Sequence, residues 1–408
     1  MILVRSLLKR ASTIPFLCSS SSVVMSLQHS SSPSSFHDQP PLAVTADGDD
    51  STCKTAYIPP ISQSTHDLIR EELGDAAVIE ALEPIGASLS GVDLSRAHFD
   101  KDFLSDQLRS ALEGVMAERG FVLFRNQTSL VANPDQLIAA SELWGGREMH
   151  STHGVHPATP GSGNTKRHIF RLSNDPAQGH VGVGPQWHND GSFVKGTFSH
   201  VGYCIVQPNR GGGTQFAHQG AAFDALPKER QQFWERLTSV NSNSGVLHPC
   251  VHEHPISKRK SIWLHLGMTG AVIEELPLSN KEREDGKIPF RLLNAFELKH
   301  LMNEYNDILN AGLQTGYTLQ LDWQAGDCLF IDNLAVSHRA AVAAHQAAQD
   351  VGLRILHRTT VKAVQDFAPL NGLPEVVDIY NPNHPFGQGV WQGGGLGFRW
   401  DESIRMQN

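Results

Sequence analysis

A histidine and an aspartate stand two positions apart, as His188 and Asp190, in the segment "GPQWHNDGSF" (184–193). On a β-strand, residues i and i+2 point to the same face, about 6.6 Å apart along the backbone. An imidazole and a carboxylate at this spacing can bind one metal ion, whereas Trp187 and Asn189 point away from it. Because a His-x-Asp pair is common by chance, the metal interpretation needs a third ligand elsewhere in the chain.

The third ligand is predicted in "DWQAGDCLFIDNLAVSHRA" (322–340), where the apolar run 328–331 predicts a core strand and His338 follows after a turn. His345, in the alanine-rich segment 341–350, is the alternative, although strands position side chains more accurately than loops. Two histidines and one carboxylate with the other positions open form the site of non-haem Fe(II) oxygenases. A closed zinc site would need a fourth ligand, and no cysteine is placed to supply it.

Two arginines, Arg354 and Arg358, lie in the predicted strand "LRILHRTTV" (353–361). Being four apart on a strand, they share a face and are separated by about 13 Å. A guanidinium binds a carboxylate through two parallel hydrogen bonds, so an inward-facing pair would hold anionic partners. The strand alone leaves open the alternative that both arginines face solvent while Leu353 and Ile355 face the core.

Short strands and a few helices are predicted around these motifs. Apolar residues at helical spacing predict a helix that begins near Asp100 or Asp102 and ends at Gly120. Further helices are predicted at 133–145, 221–237 and 292–309, and strands at 121–127, 198–206, 261–266, 328–331 and 354–361. This mixture predicts a mainly β fold with flanking helices, of the jelly-roll type.

The composition excludes several classes of protein. The chain has 408 residues, of which 40% are hydrophobic and 18% charged, as in a soluble globular protein. Its net charge of -9 argues against a nucleic-acid partner, and no apolar run approaches the about 20 residues of a membrane span. Five cysteines without CxxC spacing indicate a reducing compartment. These properties do not exclude a small anionic substrate, and they leave homo-oligomerisation open.

The first 55 residues have the composition of a targeting segment. Arg5, Lys9 and Arg10 interrupt an apolar stretch, no acidic residue precedes Asp38, and a serine-rich tract lies between. This pattern is typical of an organelle transit peptide. It predicts a mitochondrial location, with a plastid as the second choice; a disordered tail on a cytoplasmic protein is the remaining alternative.

Taken together, the motifs resemble the taurine dioxygenase (TauD/TfdA) group of Fe(II)- and 2-oxoglutarate-dependent dioxygenases. The similar segments follow in order along about residues 78–364: "IGASLSGVDLS", "GFVLFRNQ", "QWHNDGSF", "NRGGGTQFAH", "LHPCVHEHPISKRKSIWLHLGMT", "WQAGDCLFIDNLAVSH" and "RILHRTTV". The resemblance implies a double-stranded β-helix, a cupin-like jelly roll, with the metal at one mouth. The dioxygenase domain is predicted at 70–375, between the 1–55 transit peptide and tail and a Gly-rich extension at 376–408.

The resemblance also implies a reaction, in which a small substrate bearing a sulfonate or carboxylate is hydroxylated with O2, releasing succinate and CO2. It implies that the Fe(2+) ligands are His188, Asp190 and His338. It implies that Thr214 and Arg354 contact the distal carboxylate of 2-oxoglutarate. It also implies that Arg358 contacts the substrate anion. The carboxylate at 190 favours hydroxylation over halogenation, because related halogenases lack it.

The chain departs from the taurine dioxygenase pattern near the substrate. Gly184 stands where a taurine enzyme has an asparagine, and Met268 replaces a phenylalanine. His150, His153 and His156 are candidates for a substrate-contacting histidine, with surface or supporting roles as the alternative. These departures argue against taurine. A carnitine-pathway betaine hydroxylase, which would need an aromatic cage, and a catalytically silent iron- and 2-oxoglutarate-binding sensor stay open as alternatives.

Overall fold

The computed structural model of the chain describes residues 56–151, 154–284, 289–364 and 373–377. The predicted transit peptide and tail at 1–55 lie outside these ranges, as do His153 and all but the first two residues of the 376–408 extension. The division of the chain at these boundaries, with a domain at 70–375, therefore stays a prediction.

The strands of the described ranges are β1 Val78–Ala81, β2 Ala87–Ser90, β3 Phe121–Phe124, β4 Phe170–Ser173, β5 His200–Gln207, β6 Thr214–His218, β7 Leu237–Asn241, β8 Leu247–Pro249, β9 Val251–Glu253, β10 Lys260–Ile262, β11 Thr269–Glu275, β12 Phe290–Leu292, β13 Thr318–Leu321, β14 Cys328–Asp332, β15 Val336–Ala340 and β16 Ile355–Val361. The α-helices are α1 Gln63–Leu73, α2 Asp106–Arg119, α3 Thr128–Ala132, α4 Pro134–Ser141, α5 Asn164–His168, α6 Gln219–Asp224, α7 Lys228–Trp234, α8 Asn280–Glu284, α9 Ala295–Thr315 and α10 Ala348–Val351. Short 3-10 helices lie at Leu94–His98 and Val342–Ala344.

Two sheets carry the candidate site. The seven-stranded sheet has the order β1-β2-β3-β14-β5-β16-β4, and the three-stranded sheet has the order β13-β6-β15. Apolar side chains of both sheets share one core, in which the ring centroids of Phe121 (β3) and Phe216 (β6) lie 4.9 Å apart. The two sheets therefore pack face to face.

Helices flank the seven-stranded sheet. Leu112 of α2 and Leu137 of α4 pack with Phe330 of β14 in a second apolar core. The prediction of a mainly β architecture with flanking helices is thereby confirmed. Within the described ranges, no helix combines the length and the apolar composition needed to cross a membrane.

The start of α2 differs from the prediction. The helix was expected to begin near Asp100 or Asp102, but it begins at Asp106, because Ser105 caps it. The Ser105 hydroxyl accepts a hydrogen bond of 3.0 Å from the backbone N–H of Leu108, which satisfies one of the free donors of the first turn. The predicted end of the helix is confirmed.

The helix predicted over 221–237 is two helices, α6 and α7, because Pro227 cannot continue the first; it stands directly before the first residue of the second. The helix predicted over 292–309 begins at Ala295, where Asn294 and Glu297 form a capping box, and it continues to Thr315. Helical periodicity located these segments, whereas capping and proline chemistry set their ends.

The strand predicted over 261–266 is also shorter than expected. Pairing with β9 ends at Ile262, after which the N–H of Trp263 donates to Cys250 O and the N–H of Leu266 donates to Trp187 O. The chain thereby leaves the ladder and runs beside the residue that precedes His188. The strands predicted at 121–127, 198–206, 328–331 and 354–361 correspond to β3, β5, β14 and β16.

Candidate metal centre

His188 and His338 are joined by a reciprocal pair of backbone hydrogen bonds. The N–H of His188 donates to His338 O at 3.0 Å, and the N–H of His338 donates to His188 O at 2.9 Å. Their imidazole centroids lie 4.2 Å apart. His338 lies on β15, as predicted, but His188 forms only this single bridge, so the strand predicted through 188–190 is wrong.

A turn, not a strand, presents Asp190. Its N–H donates to Asn333 Oδ1 at 3.0 Å, and Asn333 Nδ2 donates back to Asp190 O at 2.8 Å. A side-chain amide thus takes both backbone groups that a neighbouring strand would have taken. Gly191 follows with φ +91°, a conformation that side chains other than glycine rarely adopt. The sequence analysis missed the role of Asn333, although it placed a turn after the strand at 328–331.

The three predicted ligands converge. Their candidate ligand atoms all lie within 4.8 Å of one another, and all three residues are buried. His338 Nε2 is 3.8 Å from Asp190 Oδ2. His188 Nδ1 donates to Gln186 O at 2.7 Å, which leaves Nε2 as the metal-binding nitrogen. His345, the alternative third ligand, is exposed and stands outside this group.

The electrostatics of the three side chains fit a cation. Burial lowers the pKa of His188, and burial followed by the proximity of the His188 imidazole holds the pKa of His338 well below its usual value. Both rings are therefore neutral and keep a lone pair for a metal. Asp190 Oδ2 and His338 Nε2 have no hydrogen-bond partner in the described part of the chain. Buried polar atoms without a partner are costly, and a divalent metal ion would satisfy both. Two histidines and one carboxylate are the donor set of non-haem Fe(II) sites.

Arg358 faces the site and contacts a candidate ligand. Its Nη1 donates to Asp190 Oδ1 at 2.6 Å, and its guanidinium lies 4.7 Å from the ring centroid of Phe170. Arg358 Nε is buried without a hydrogen-bond partner among the described residues. The structure excludes the solvent-facing alternative, because both faces of β16 are covered and its residues are buried or half-buried.

Arg354 lies one residue before β16 and is 5% exposed. Its Nε donates to Gly212 O at 3.0 Å, and burial lowers its pKa to about 10. No carboxylate of the described residues forms an ion pair with it. Thr214, at the start of β6, accepts a hydrogen bond of 3.1 Å from Trp323 Nε1. Arg354, Thr214, His338 and the buried Tyr203, which the sequence analysis missed, line one small cavity.

Comparisons with known proteins agree with this geometry. Residues 79–360 match the model of the "Taurine catabolism dioxygenase TauD, TfdA family". The chain belongs to this family of Fe(II)- and 2-oxoglutarate-dependent dioxygenases. Both the predicted resemblance and the predicted enzyme class are thereby confirmed. Iron, 2-oxoglutarate and O2 are the cofactor and co-substrates that membership of the family implies.

Two curated relatives of the dioxygenase act on sulfur oxyanions. It is 25% identical over 334 residues to the alpha-ketoglutarate-dependent sulfonate dioxygenase of Saccharomyces cerevisiae, covering 76% of this chain and 70% of the relative. It is 24% identical over 267 residues to the alpha-ketoglutarate-dependent sulfate ester dioxygenase of Pseudomonas putida, covering 63% of this chain and 81% of the relative. Alpha-ketoglutarate is another name for 2-oxoglutarate.

Solved structures share the fold of the dioxygenase. The crystal structure of a taurine dioxygenase from Burkholderia xenovorans superposes with a TM-score of 0.53 at 20% identity. The match covers 74% of this chain and 95% of that structure. At this identity the similarity shows the fold alone.

A second cavity of about 330 Å³ opens beside the candidate ligands of the dioxygenase. Besides His188, Asp190 and Arg358, its wall consists mostly of apolar side chains and glycines: Phe170, Gly182, Val183, Gly184, Pro185, Gln186, Gly191, Phe193, His265, Gly267 and Met268. We call this cavity the substrate chamber. Gly184 and Met268 line it, as the departures from the taurine pattern indicated. Of the three candidate histidines, neither His150 nor His156 lines it, and His153 lies outside the described residues.

A histidine that the sequence analysis did not select, His265, does line the chamber of the dioxygenase. Its ring centroid lies 5.1 Å from that of His188, and its Nδ1 is buried without a hydrogen-bond partner in the described ranges. Burial, followed by the neighbouring charge of His188, holds the pKa of His265 well below its usual value. The available signal was its position in "SIWLHLGMT", three residues before Met268.

Proposed function

We propose that this dioxygenase hydroxylates a small organic anion with an apolar body, most readily a sulfonate or sulfate ester. One substrate C–H, one O2 and one 2-oxoglutarate would give one alcohol, one succinate and one CO2. The observation that carries the proposal is the guanidinium of Arg358, which projects into the substrate chamber beside Asp190.

The proposed iron ligands are His188 Nε2, Asp190 Oδ2 and His338 Nε2. Their convergence, their burial and the missing partners of Asp190 Oδ2 and His338 Nε2 support this assignment. Iron bound there, together with 2-oxoglutarate and O2, supplies the oxidising power for an unactivated C–H bond. The protein keeps both rings neutral, excludes water and aims the C–H bond.

The proposed holders of 2-oxoglutarate are Arg354 and Thr214, at the distal carboxylate. A buried guanidinium without an anionic partner is costly, and the co-substrate carboxylate would supply that partner in a forked hydrogen bond. The hydrogen bond from Arg354 Nε to Gly212 O holds the side chain in place. That both residues line the same small cavity as His338 supports this assignment.

The charges in the substrate chamber favour an anionic substrate. Among the described residues that line it, the only carboxylate is Asp190, and that carboxylate already contacts Arg358. An ammonium group would find no free carboxylate, and the guanidinium would repel a quaternary ammonium. An anion without an ammonium group is therefore favoured over taurine, which carries one, and over the betaine of a carnitine-pathway hydroxylase.

The size and lining of the chamber favour an apolar body on that anion. Phe170, Val183, Phe193 and Met268 each contribute an apolar side chain to its wall. A volume of about 330 Å³ lies at the small end of the range of about 300–1,000 Å³ that ligand pockets occupy. It would suit an alkyl chain of moderate length better than a large ring system.

We further propose that the two facing sheets form the double-stranded β-helix core implied by the resemblance. Their face-to-face packing and the similarity to a solved taurine dioxygenase support this interpretation. The reciprocal bridge between His188 and His338 would then lie at one mouth of the core.

A turnover screen tests the proposal. The purified protein would receive Fe(II), 2-oxoglutarate and O2 with 1-hexanesulfonate, hexyl sulfate, heptanoate, taurine or glycine betaine, and succinate would be measured. We expect the two sulfur oxyanions to raise succinate formation most. A higher rate with glycine betaine would support the betaine hydroxylase instead. Binding of 2-oxoglutarate without turnover of any compound would support the sensor.

A further inference from the structure

Two side-chain nitrogens in the substrate chamber lack a partner in the described part of the chain. They are Arg358 Nε and His265 Nδ1, and both are buried. The family assignment accounts for the first, as the proposed substrate anchor. The second belongs neither to the proposed iron ligands nor to the proposed holders of 2-oxoglutarate. A buried nitrogen with an unmet hydrogen-bonding capacity, in a cavity that must bind a ligand, indicates a contact to that ligand.

The backbone holds His265 firmly on both sides. Its carbonyl accepts hydrogen bonds from the N–H of Thr269 at 3.0 Å and from the hydroxyl of Thr269 at 2.8 Å. The next residue, Leu266, donates its N–H to Trp187 O at 3.1 Å, and Trp187 is fully buried. The main chain that carries the ring is therefore held in place, and the ring itself packs beside that of His188, with centroids 5.1 Å apart. A specificity group requires such a supported position.

The imidazole of His265 offers the chamber one unpartnered nitrogen. Nδ1 is buried without a hydrogen-bond partner in the described ranges, and an imidazole nitrogen that carries a proton is a hydrogen-bond donor. A single imidazole N–H lacks the permanent charge and the forked donors of a guanidinium, so it cannot replace Arg358 in attracting an anion. It can complete the hydrogen bonding of an anion that Arg358 has already attracted.

We propose that His265 is a specificity-determining residue that donates a hydrogen bond to one oxygen of a tetrahedral anionic head group, while Arg358 contacts the others. This inference rests on the proposed function and narrows its substrate class. A planar carboxylate that a guanidinium binds in a fork keeps its remaining lone pairs close to the plane of that fork. A sulfonate or sulfate ester has a third terminal oxygen, which can meet a donor from a second direction. His265 thus selects sulfur oxyanions over carboxylates.

The competing interpretation is that His265 only packs against the ring of His188 and steadies a metal ligand. The two roles differ in what they predict. A packing role affects iron affinity and affects all substrates equally. A specificity role affects one class of anion and leaves iron affinity unchanged.

Equilibrium binding separates the two roles. The enzyme would be loaded anaerobically with Fe(II) and 2-oxoglutarate, and the Kd of 1-hexanesulfonate and of heptanoate would be measured by calorimetry, together with the Kd of Fe(II). His265→Phe keeps an aromatic ring of similar position but has no N–H. His265→Asn places an amide nitrogen near the position of Nδ1. His345→Ala, at an exposed histidine, is the matched control.

We expect His265→Phe to raise the Kd of 1-hexanesulfonate by about tenfold to 100-fold, which is the usual contribution of a hydrogen bond to a charged group. The Kd of heptanoate and the Kd of Fe(II) should change by less than about twofold. His265→Asn should restore part of the affinity for 1-hexanesulfonate. An equal loss for both anions, or a loss of iron affinity, would overturn the proposal in favour of packing. Unchanged sulfonate binding in His265→Phe would also overturn it.

Failure of the proposed function has a different signature. If the unmodified enzyme binds neither anion, or binds and hydroxylates glycine betaine instead, the anionic substrate class is wrong and the role of His265 falls with it. If the unmodified enzyme binds 1-hexanesulfonate and the His265 variants bind it equally well, the function stands and only the role of His265 is wrong.

Discussion

The guanidinium of Arg358 donates from Nη1 to Oδ1 of Asp190 at 2.6 Å, across 168 positions of sequence. The other carboxylate oxygen, Oδ2, lies 3.8 Å from His338 Nε2. The side chain of Arg358 can thus contact two partners, the proposed iron ligand Asp190 and an anion in the substrate chamber. This relationship links substrate binding to the geometry of the metal centre.

The first prediction concerns Arg358. In Arg358→Ala we expect weaker binding of 1-hexanesulfonate, by roughly 100-fold, because a buried guanidinium–anion contact is lost. We also expect iron affinity to fall by about tenfold to 100-fold, because Asp190 loses the partner that orients it. Titration with Fe(II) and anaerobic calorimetry measure the two effects. Iron affinity equal to that of the unmodified enzyme would show that the contact to Asp190 is incidental.

The second prediction concerns Arg354. In Arg354→Ala the affinity for 2-oxoglutarate should fall by roughly 100-fold, because the distal carboxylate loses a forked hydrogen bond. The visible charge-transfer band of the anaerobic Fe(II) and 2-oxoglutarate complex measures this affinity. Arg354→Lys keeps the charge but cannot form the forked hydrogen bond, so its affinity for 2-oxoglutarate should lie between that of the unmodified enzyme and that of Arg354→Ala. A harmless Arg354→Ala together with a severe effect of Arg358→Ala on 2-oxoglutarate would reverse our assignment of the two arginines.

The third prediction concerns the metal ligands. Asp190→Ala should abolish both stoichiometric Fe(II) binding and the charge-transfer band, because the site loses the one anionic side chain among its three proposed ligands. His345→Ala should retain both, since this exposed histidine stands outside the candidate site. A band that persists in Asp190→Ala would remove this carboxylate from the ligand set. Loss of the band in His345→Ala would restore the alternative third ligand.

The fourth prediction uses a matched pair of glycines. Gly184 has φ +71°, and a Cβ there would lie 2.9 Å from His188 Cε1; Gly182 has φ +70° and open space around it. Alanine at either position should cost about 1–2 kcal/mol of stability, because a side chain strains this conformation. Only Gly184→Ala should also weaken Fe(II) binding, by displacing the ring of His188. Equal iron affinity in the two variants would contradict the proposed close approach.

The fifth prediction concerns acid stability. His218 Nδ1 accepts a hydrogen bond of 3.2 Å from the N–H of Ala221, and burial, aided by Arg259 and His254, lowers the pKa of His218 to about 3. Below pH 6.5 the unfolded chain therefore binds a proton that the folded chain does not bind. The stability contributed by this group is complete above pH 6.5 and is lost as the pH falls toward about 3.

Urea unfolding at pH 7, 6 and 5 tests this expectation. His218→Asn keeps a residue that caps helices well but does not titrate. As the pH falls, we expect the free energy of unfolding to decrease less steeply in the variant than in the unmodified protein. The difference in slope should be up to about 1.4 kcal/mol per pH unit. Parallel pH dependences for the two proteins would contradict this expectation, because they would show that His218 has the same pKa in the folded and unfolded states.

Local chemistry made much of this molecule predictable from its sequence. The buried strands β3, β5 and β14 contain apolar runs, because both of their faces are covered, whereas β16 carries His357, Arg358 and two threonines among its apolar residues. The helix periodicity of α2 and α9 was equally clear, but capping by Ser105 and Asn294 set where they begin. Several neighbouring residues can form such a capping hydrogen bond, so the sequence indicates the first residue of a helix less clearly than it indicates the helix itself.

The sequence by itself indicated the family, through the order of its motifs, and named His188, Asp190 and His338 as candidate ligands, with His345 as the alternative to His338. Two histidines and one carboxylate recur with one chemistry, which is why these residue types were informative. Tertiary structure decided which side chains meet around them. It placed Asp190 in a turn held by Asn333, paired Arg358 with Asp190 and set His265 beside His188. Those contacts join residues far apart in the chain, and no local pattern encodes them, because they arise only when the sheets and connecting segments pack.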